Sequence, residues 1–134
     1  MNVGDFLILT ADIGNTNITL GFFESECSTP VCISRMATQR HRTADQYAIE
    51  LKAIFELEKI GTNFEGAIIS SVVPHVGAMM SRAVEILFGY APMMLGPGIK
   101  TGLNIKIDNP AQLGADLAAG AVAAMTKYSL PCII

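Results

Sequence analysis

Phe6-Leu7-Ile8-Leu9-Thr10-Ala11 is a short, almost unbroken apolar run that ends on Asp12-Ile13-Gly14-Asn15-Thr16-Asn17. A run of that length without polar alternation suits a strand covered on both faces. The polar and glycine residues after it suit a turn. Strand character resumes over Ile18–Phe23, Glu24–Pro30 reads as a loop, and Val31–Met36 reads as a third strand. Three strands joined by short links predict an antiparallel meander at the start of the chain.

The periodicity then changes from two to that of a helix. Thr43-Ala-Asp-Gln46 has the spacing of a capping box, and Tyr47, Leu51, Ile54 and Phe55 after it share one helical face, with Gly61 as the stop. Gly66–Val73 reads as a strand. Pro74 opens a second helix with Val76, Met80, Ala83, Val84 and Leu87 as its buried stripe and Gly89 at its end. Pro92–Leu95 reads as a short strand before the Gly96-Pro97-Gly98 loop. Asn109, Pro110 and Gln112 then predict the start of a third helix, built of small residues from Gly114 through Ala124. Glycine inside a helix costs on the order of 1 kcal/mol relative to alanine, so Gly114 and Gly120 call for a steric reason. The order β-β-β-α-β-α-β-α predicts an α/β fold with a mixed sheet and helices on its faces. Leu130–Ile134 reads as the start of a further buried strand, so the chain is expected to be the N-terminal part of a longer protein.

Composition narrows the function. The 134 residues are 51% hydrophobic and 16% charged, enough to bury a core. A net charge of −3 argues against a sequence-independent nucleic-acid binder. No apolar run approaches the roughly 18 residues of a membrane span, and the N-terminus lacks the basic start and cleavage site of a signal peptide. Cys27, Cys32 and Cys132 are odd in number and form no C-x-x-C, which suits reduced thiols in a cytosolic protein.

Three groups of residues can carry chemistry. In Asp12-Ile-Gly14-Asn15-Thr16-Asn17, Gly14 permits close backbone approach, the amides and side chains of Asn15, Thr16 and Asn17 can surround phosphate oxygens, and Asp12 can hold Mg²⁺ through water. The same residues make an ordinary hairpin turn, and the motif alone does not choose. Neither a Walker-type P-loop nor a G-x-G-x-x-G is present. Asp116, in Gly114-Ala115-Asp116 and one turn into the third helix, can accept a proton from a substrate hydroxyl; taken alone, it reads better as compensation of the helix dipole on a solvated face. Arg35, Arg40, His41 and Arg42 can attract an anionic substrate, but such a run reads better as a solvated loop. His41 and His75 are not spaced as metal ligands, and the seven methionines read as core filler.

Five segments in one order resemble the type III pantothenate kinase family, enzymes of coenzyme A synthesis. Asp12-Ile-Gly-Asn-Thr-Asn17 is similar to the family's first phosphate motif. Arg42-Thr-Ala-Asp-Gln-Tyr47 is similar to its R/K-T-x-D-E-Y, with Gln46 for the usual Glu. Ile69-Ser-Ser-Val-Val-Pro74 is similar to its I-S-S-V-V-P. Gly96-Pro-Gly-Ile-Lys-Thr-Gly-Leu103 follows its G-P-G-x-K-T-G-L. Asp108-Asn-Pro110 with Leu113-Gly-Ala-Asp116 is similar to its D-N-P and G-A-D-R. The resemblance covers nearly the whole chain.

What the resemblance implies is specific. The fold would be the ribonuclease-H-like, actin-like ATPase lobe of the sugar kinase, Hsp70 and actin superfamily, with residues 1–134 as the N-terminal lobe of a two-lobed kinase. Asp12, Gly14, Asn15, Thr16 and Asn17 would meet the ATP phosphates and Mg²⁺, with Asp12 holding the metal through water. Asp116 would be the catalytic base toward pantothenate. Gly114, Ala115, Ile107 and Leu117 would face that substrate. A monovalent cation (K⁺ or NH₄⁺) and a homodimer are implied, with no nucleic-acid or membrane partner. The family's second phosphate motif, D-x-G-T-A-T, would begin where this sequence ends, which implies that these residues alone are inactive.

Two positions depart from the family pattern. Leu117 stands where the family usually has Arg, and Ile107 stands where it usually has an aromatic residue. A lost guanidinium removes a charge-assisted bond of about 1.5–3 kcal/mol, or about ten- to a hundredfold in affinity. Phosphate handling therefore reads as intact and acceptor recognition as altered. The other readings are a kinase for a different hydroxyl substrate, and a non-catalytic nucleotide-binding or transcriptional accessory protein on the same fold.

Overall fold

The computed structural model of the protein describes residues 6–97 and 99–134. The reading of Met1–Asp5 as no signal sequence, and Gly98 of the predicted loop, lie outside the described residues. Five strands and three α-helices follow in chain order: β1 (Leu7–Ile13), β2 (Asn17–Glu24), β3 (Cys32–Ala37), α1 (Ala44–Leu57), β4 (Phe64–Ser71), α2 (Pro74–Phe88), β5 (Met93–Met94) and α3 (Ala115–Lys127). The sheet order is β3-β2-β1-β4-β5. β1, β2 and β3 form the expected antiparallel meander. β4 lies parallel to β1, and β5 lies parallel to β4. The result is a mixed α/β fold.

Alternation along the central strands sets the two faces apart. Leu7, Leu9, Ala11 and Ile13 of β1 are buried with Ile18, Leu20 and Phe22 of β2 in one cluster. That cluster also holds Tyr47, Leu51 and Phe55 of α1 and Val76, Met80 and Val84 of α2. Phe22 meets Phe55 edge-on at 5.7 Å between ring centroids, and Phe64 stacks on Phe88 at 4.5 Å. Such aromatic pairs add about 0.5–1.5 kcal/mol beyond their burial. The opposite sheet face carries Thr10, Asp12, Ile68 and Ser70, and α3 lies against it at β4.

The capping box before α1 is present: Thr43 Oγ1 accepts from the Gln46 amide, and the Gln46 side chain accepts from the Thr43 amide. The end of α1 differs from the Gly61 stop. The Lys59 amide donates to Glu56 O and the Ile60 amide to Phe55 O, which closes a Schellman motif with Lys59 at φ 54° and Ile60 buried. The apolar anchor at Ile60 fixes the turn, so a lysine takes the left-handed position that glycine usually fills. A side chain there costs about 1–2 kcal/mol, partly offset by the extra chain entropy of glycine. Lys59→Gly is therefore expected to raise stability by about 0.5–1 kcal/mol in denaturant unfolding.

α2 follows its prediction, with Pro74 in its first turn and Gly89 in the left-handed conformation at its end. It has no side-chain cap. The Ser71 hydroxyl organises the turn instead, accepting from the Val73 amide and donating to Val73 O.

Four further expectations change. β1 runs on through Asp12 to Ile13, because Asp12 pairs with Thr19 on one side and Ser70 on the other. The strand predicted over Gly66–Val73 starts and ends two residues earlier. The single third helix is split: Asn109 caps only one 3₁₀ turn over Pro110–Gln112, and Leu113 and Gly114 are extended. The α-helix starts afresh at Ala115 with Gly114 as its cap residue. Leu130–Ile134 forms no strand and is exposed, since no described strand runs beside it to pair its backbone.

Candidate active site

The β1–β2 hairpin brings the first motif to the end of the sheet. Ile13 pairs with Ile18, so the turn is tight. The Gly14 amide donates to Asn17 O at 2.9 Å, and a Cβ on Gly14 would stand 3.2 Å from that same carbonyl. Thr38 ties the turn down from the end of β3: its hydroxyl donates to Gly14 O at 2.8 Å and its amide to Thr16 O at 2.9 Å. Arg40 reaches over to Asn15 Oδ1 at 3.2 Å. The turn carbonyls are thereby used toward the protein. Among the described residues, no hydrogen bond uses the amides of Asn15 or Thr16. Unpaired amides at an exposed, hydrogen-bonded turn form the kind of surface that holds phosphate oxygens.

The basic run is solvated as expected, with Arg35, Arg40 and His41 exposed, and two of its members also hold neighbours. Arg40 braces the turn through Asn15, and Arg42 forms an ion pair with Glu50 of α1 while donating to Gln39. Two of its guanidinium groups position other residues.

Asp116 lies in the first turn of α3, not one turn in, as a direct consequence of the break at Leu113-Gly114. Its Oδ1 accepts from the Leu117 amide at 2.9 Å. A Cβ on Gly114 would stand 2.5 Å from Asp116 Oδ1, so a side chain there would have to move the carboxylate. Gly120 has no such reason: a methyl group added there would make ordinary contact with Ile134 at 3.8 Å.

The sheet and α3 line an open cavity of about 430 Å³ with Asp12 and Asp116 both in its lining, together with Thr10, Ser70, Leu95 and Ala119. Two carboxylates far apart in sequence thus share one space. A second cavity of about 650 Å³ lies on the other side of the α3 start, lined by Gly114 and Ala115 along with Leu95, Pro97, Thr101 and Pro110. Leu95 borders both cavities, and the first residues of α3 divide them. Ile107 and Leu117 are 48% and 56% exposed and line neither cavity.

Among the described residues, no group of three or more His, Cys, Asp or Glu is placed to hold a metal ion. A Mg²⁺ ion usually keeps several waters and needs only one or two carboxylates besides substrate phosphates. Asp12, exposed at the end of β1, is a suitable carboxylate. The cysteines are free thiols. Burial, with the hydrogen bond and charge of Glu58 beside it, pushes the Cys32 thiol above its ordinary pKa, so it is no activated nucleophile. No described helix is long and apolar enough to cross a membrane.

Sequence reasoning missed Ser70, Thr38 and Thr10 as parts of this site. Thr10 and Thr38 signalled only by polarity in or beside a strand, and Ser70 by its place in the Ile69–Pro74 segment, neither of which reveals what faces them.

Comparison with known proteins decides the family. The sequence profile of type III pantothenate kinases matches residues 8–134. The chain belongs to the type III pantothenate kinase family. A type III pantothenate kinase of Halalkalibacterium halodurans is 44% identical over 131 residues, and one of Exiguobacterium sibiricum is 43% identical over 129 residues. Each alignment covers 96% of this chain and 50% of the relative. The chain spans about half the length of the curated relatives it matches. The expectation carried by the five motifs is met at the level of family.

Proposed function

We propose that this chain is the N-terminal, ribonuclease-H-like lobe of an ATP-dependent pantothenate kinase that makes 4′-phosphopantothenate for coenzyme A synthesis. The observation that carries the proposal is the shared cavity of Asp12 and Asp116. Phosphoryl transfer relies mainly on positioning and on charge stabilisation. A carboxylate at the phosphate turn and a second carboxylate across the same space supply one group for each end of the reaction.

In this reading the Asn15 and Thr16 amides hold phosphate oxygens. Asp12 would hold a hydrated Mg²⁺ through its water, and such an ion would supply charge neutralisation for the phosphates. Asp116 accepts the proton of the pantothenate hydroxyl as the bond to phosphorus forms, and ADP leaves. Gly114 and Ala115 form the wall along which pantothenate approaches. The rest of a chain as long as the relatives would supply the second lobe, the adenosine pocket, the K⁺ or NH₄⁺ site and most homodimer contacts. A cytosolic location follows from coenzyme A synthesis and the reduced cysteines. The 134 residues alone are expected to be inactive.

Leu117 favours a second reading, a kinase for another hydroxyl substrate, because a leucine cannot bind the pantothenate carboxylate as Arg does. The assay that separates the two is ADP release by the full-length protein with Mg·ATP and K⁺ or NH₄⁺. Pantothenate-dependent release supports the first reading. Release with other small hydroxy compounds but not pantothenate supports the second. Binding of ATP without turnover on any of them would favour a non-catalytic role.

Gly114→Ala probes the wall between the cavities. The added methyl displaces the Asp116 carboxylate, and a shift of about 1 Å can cost on the order of a hundredfold in rate. The expected result is a large fall in kcat with a stability loss of about 1 kcal/mol or less, since alanine is a poorer cap residue than glycine. Steady-state kinetics and thermal unfolding check the two parts.

A further inference from the structure

Ser70 lies on β4 in register with Asp12 of β1, so both side chains leave the same face of the sheet. It is only 8% exposed, and its Oγ has no hydrogen-bond partner among the described residues. It lines the cavity that holds Asp12 and Asp116. A buried hydroxyl without a partner is costly, and native structures keep such groups for a reason. The other polar side chains of this lining are already committed or cannot donate. Thr10 Oγ1 donates to Gly21 O. The two carboxylates, when ionised, only accept. Among the described residues, Ser70 is therefore the one side chain in that lining with a free proton to give.

A ligand that presents only acceptor oxygens would find its side-chain donor here in Ser70. The two flanking carboxylates admit such an anionic group only when it comes with a cation, as a nucleoside triphosphate does. Ser70 is itself neutral, so it adds no repulsion. We propose that the Ser70 hydroxyl donates a hydrogen bond to an oxygen of the phosphoryl group being transferred, at a point between Asp12 and Asp116. This assignment rests on the kinase reading above and adds a residue to it.

The test uses the full-length protein and Ser70→Ala, with Ser70→Cys as a second variant that keeps the size but is a weak donor. Without ligand, Ser70→Ala is expected to unfold at the same temperature as wild type or higher, because it removes an unpaired buried hydroxyl. Calorimetric titration with Mg²⁺ and the non-hydrolysable analogue AMP-PNP is expected to show about tenfold weaker binding or more in both variants, the size for a hydrogen bond to a charged group. Titration with Mg·ADP, which lacks the terminal phosphoryl group, is expected to match wild type. Weakening of inorganic phosphate binding alone, with AMP-PNP unchanged, would overturn the assignment. So would equal loss for ADP and AMP-PNP, or a lowered unfolding temperature in the absence of ligand, which would make Ser70 structural. If wild type binds AMP-PNP and Ser70→Ala binds it equally well, this assignment fails and the kinase reading stands. If wild type binds no nucleotide, both fail.

Discussion

Asp116→Asn is expected to reduce pantothenate phosphorylation by about 10²–10⁴-fold, the usual contribution of a positioned general base, while leaving Mg·ATP affinity unchanged. The reasoning is local. Asp116 is exposed at the start of α3, and its Oδ1 accepts from the Leu117 amide. An asparagine oxygen accepts the same bond, and only the modest interaction of the charge with the helix N-terminus is lost. The fold therefore loses little, within about 0.5 kcal/mol for an exposed substitution of this kind. What is lost is an acceptor for the hydroxyl proton. Rate and nucleotide affinity, measured together on the full-length protein, check the outcome: a fall in kcat with unchanged ATP binding supports the base, and equal loss of both would not.

Asp12→Asn is expected to act on the other end of the reaction. Asp12 lies at the close of β1, between Thr19 and Ser70 in the ladder and next to the Gly14 turn. Replacing the carboxylate keeps the strand and its pairing but weakens the hold on a hydrated Mg²⁺. Groups that hold a metal through its water typically contribute about 10–100-fold in affinity or activity. The expected signature is a loss of about that size at low Mg²⁺ that narrows as Mg²⁺ is raised. ATP binding measured with excess chelator should be no weaker in the variant than in wild type, because one carboxylate that repels the metal-free phosphates is gone. A loss that ignores Mg²⁺ concentration would assign Asp12 to the fold or to another contact.

The two carboxylates were legible in the sequence; their meeting was not. Local signals gave the meander, because apolar runs and turn residues act over a few positions. Thr43 with Gln46, and Pro74 with Gly89, marked helix ends for the same reason. At Asp12 tertiary pairing overrode local chemistry: a polar residue that reads as a turn stays in the strand because β2 and β4 bind its backbone on both sides. At Asn109 a good cap with Pro110 predicted a helix, yet Leu113 and Gly114 adopt extended backbone after one turn. That break moves Asp116 into the first turn of α3, where Gly114 leaves room for its carboxylate. Ser70 shows the limit most clearly. Its value lies in what is opposite it, and only the assembled sheet and α3 reveal a buried hydroxyl facing two acids.

The five motifs also left the acceptor open through Leu117 and Ile107. Both are exposed here and apart from the two cavities. Gly114 and Ala115, by contrast, border the larger cavity directly. The path of the acceptor is therefore best followed from the α3 start, where one wall faces each cavity.

The most direct test of the shared Asp12–Asp116 cavity as the phosphoryl-transfer centre is a crystal structure of the full-length protein with Mg²⁺, AMP-PNP and pantothenate. The expected result places the pantothenate hydroxyl within about 3.2 Å of an Asp116 carboxylate oxygen, the reach of a general base, with the terminal phosphoryl group between it and Asp12. Pantothenate bound away from Asp116, or a nucleotide whose terminal phosphate lies outside this cavity, would contradict it.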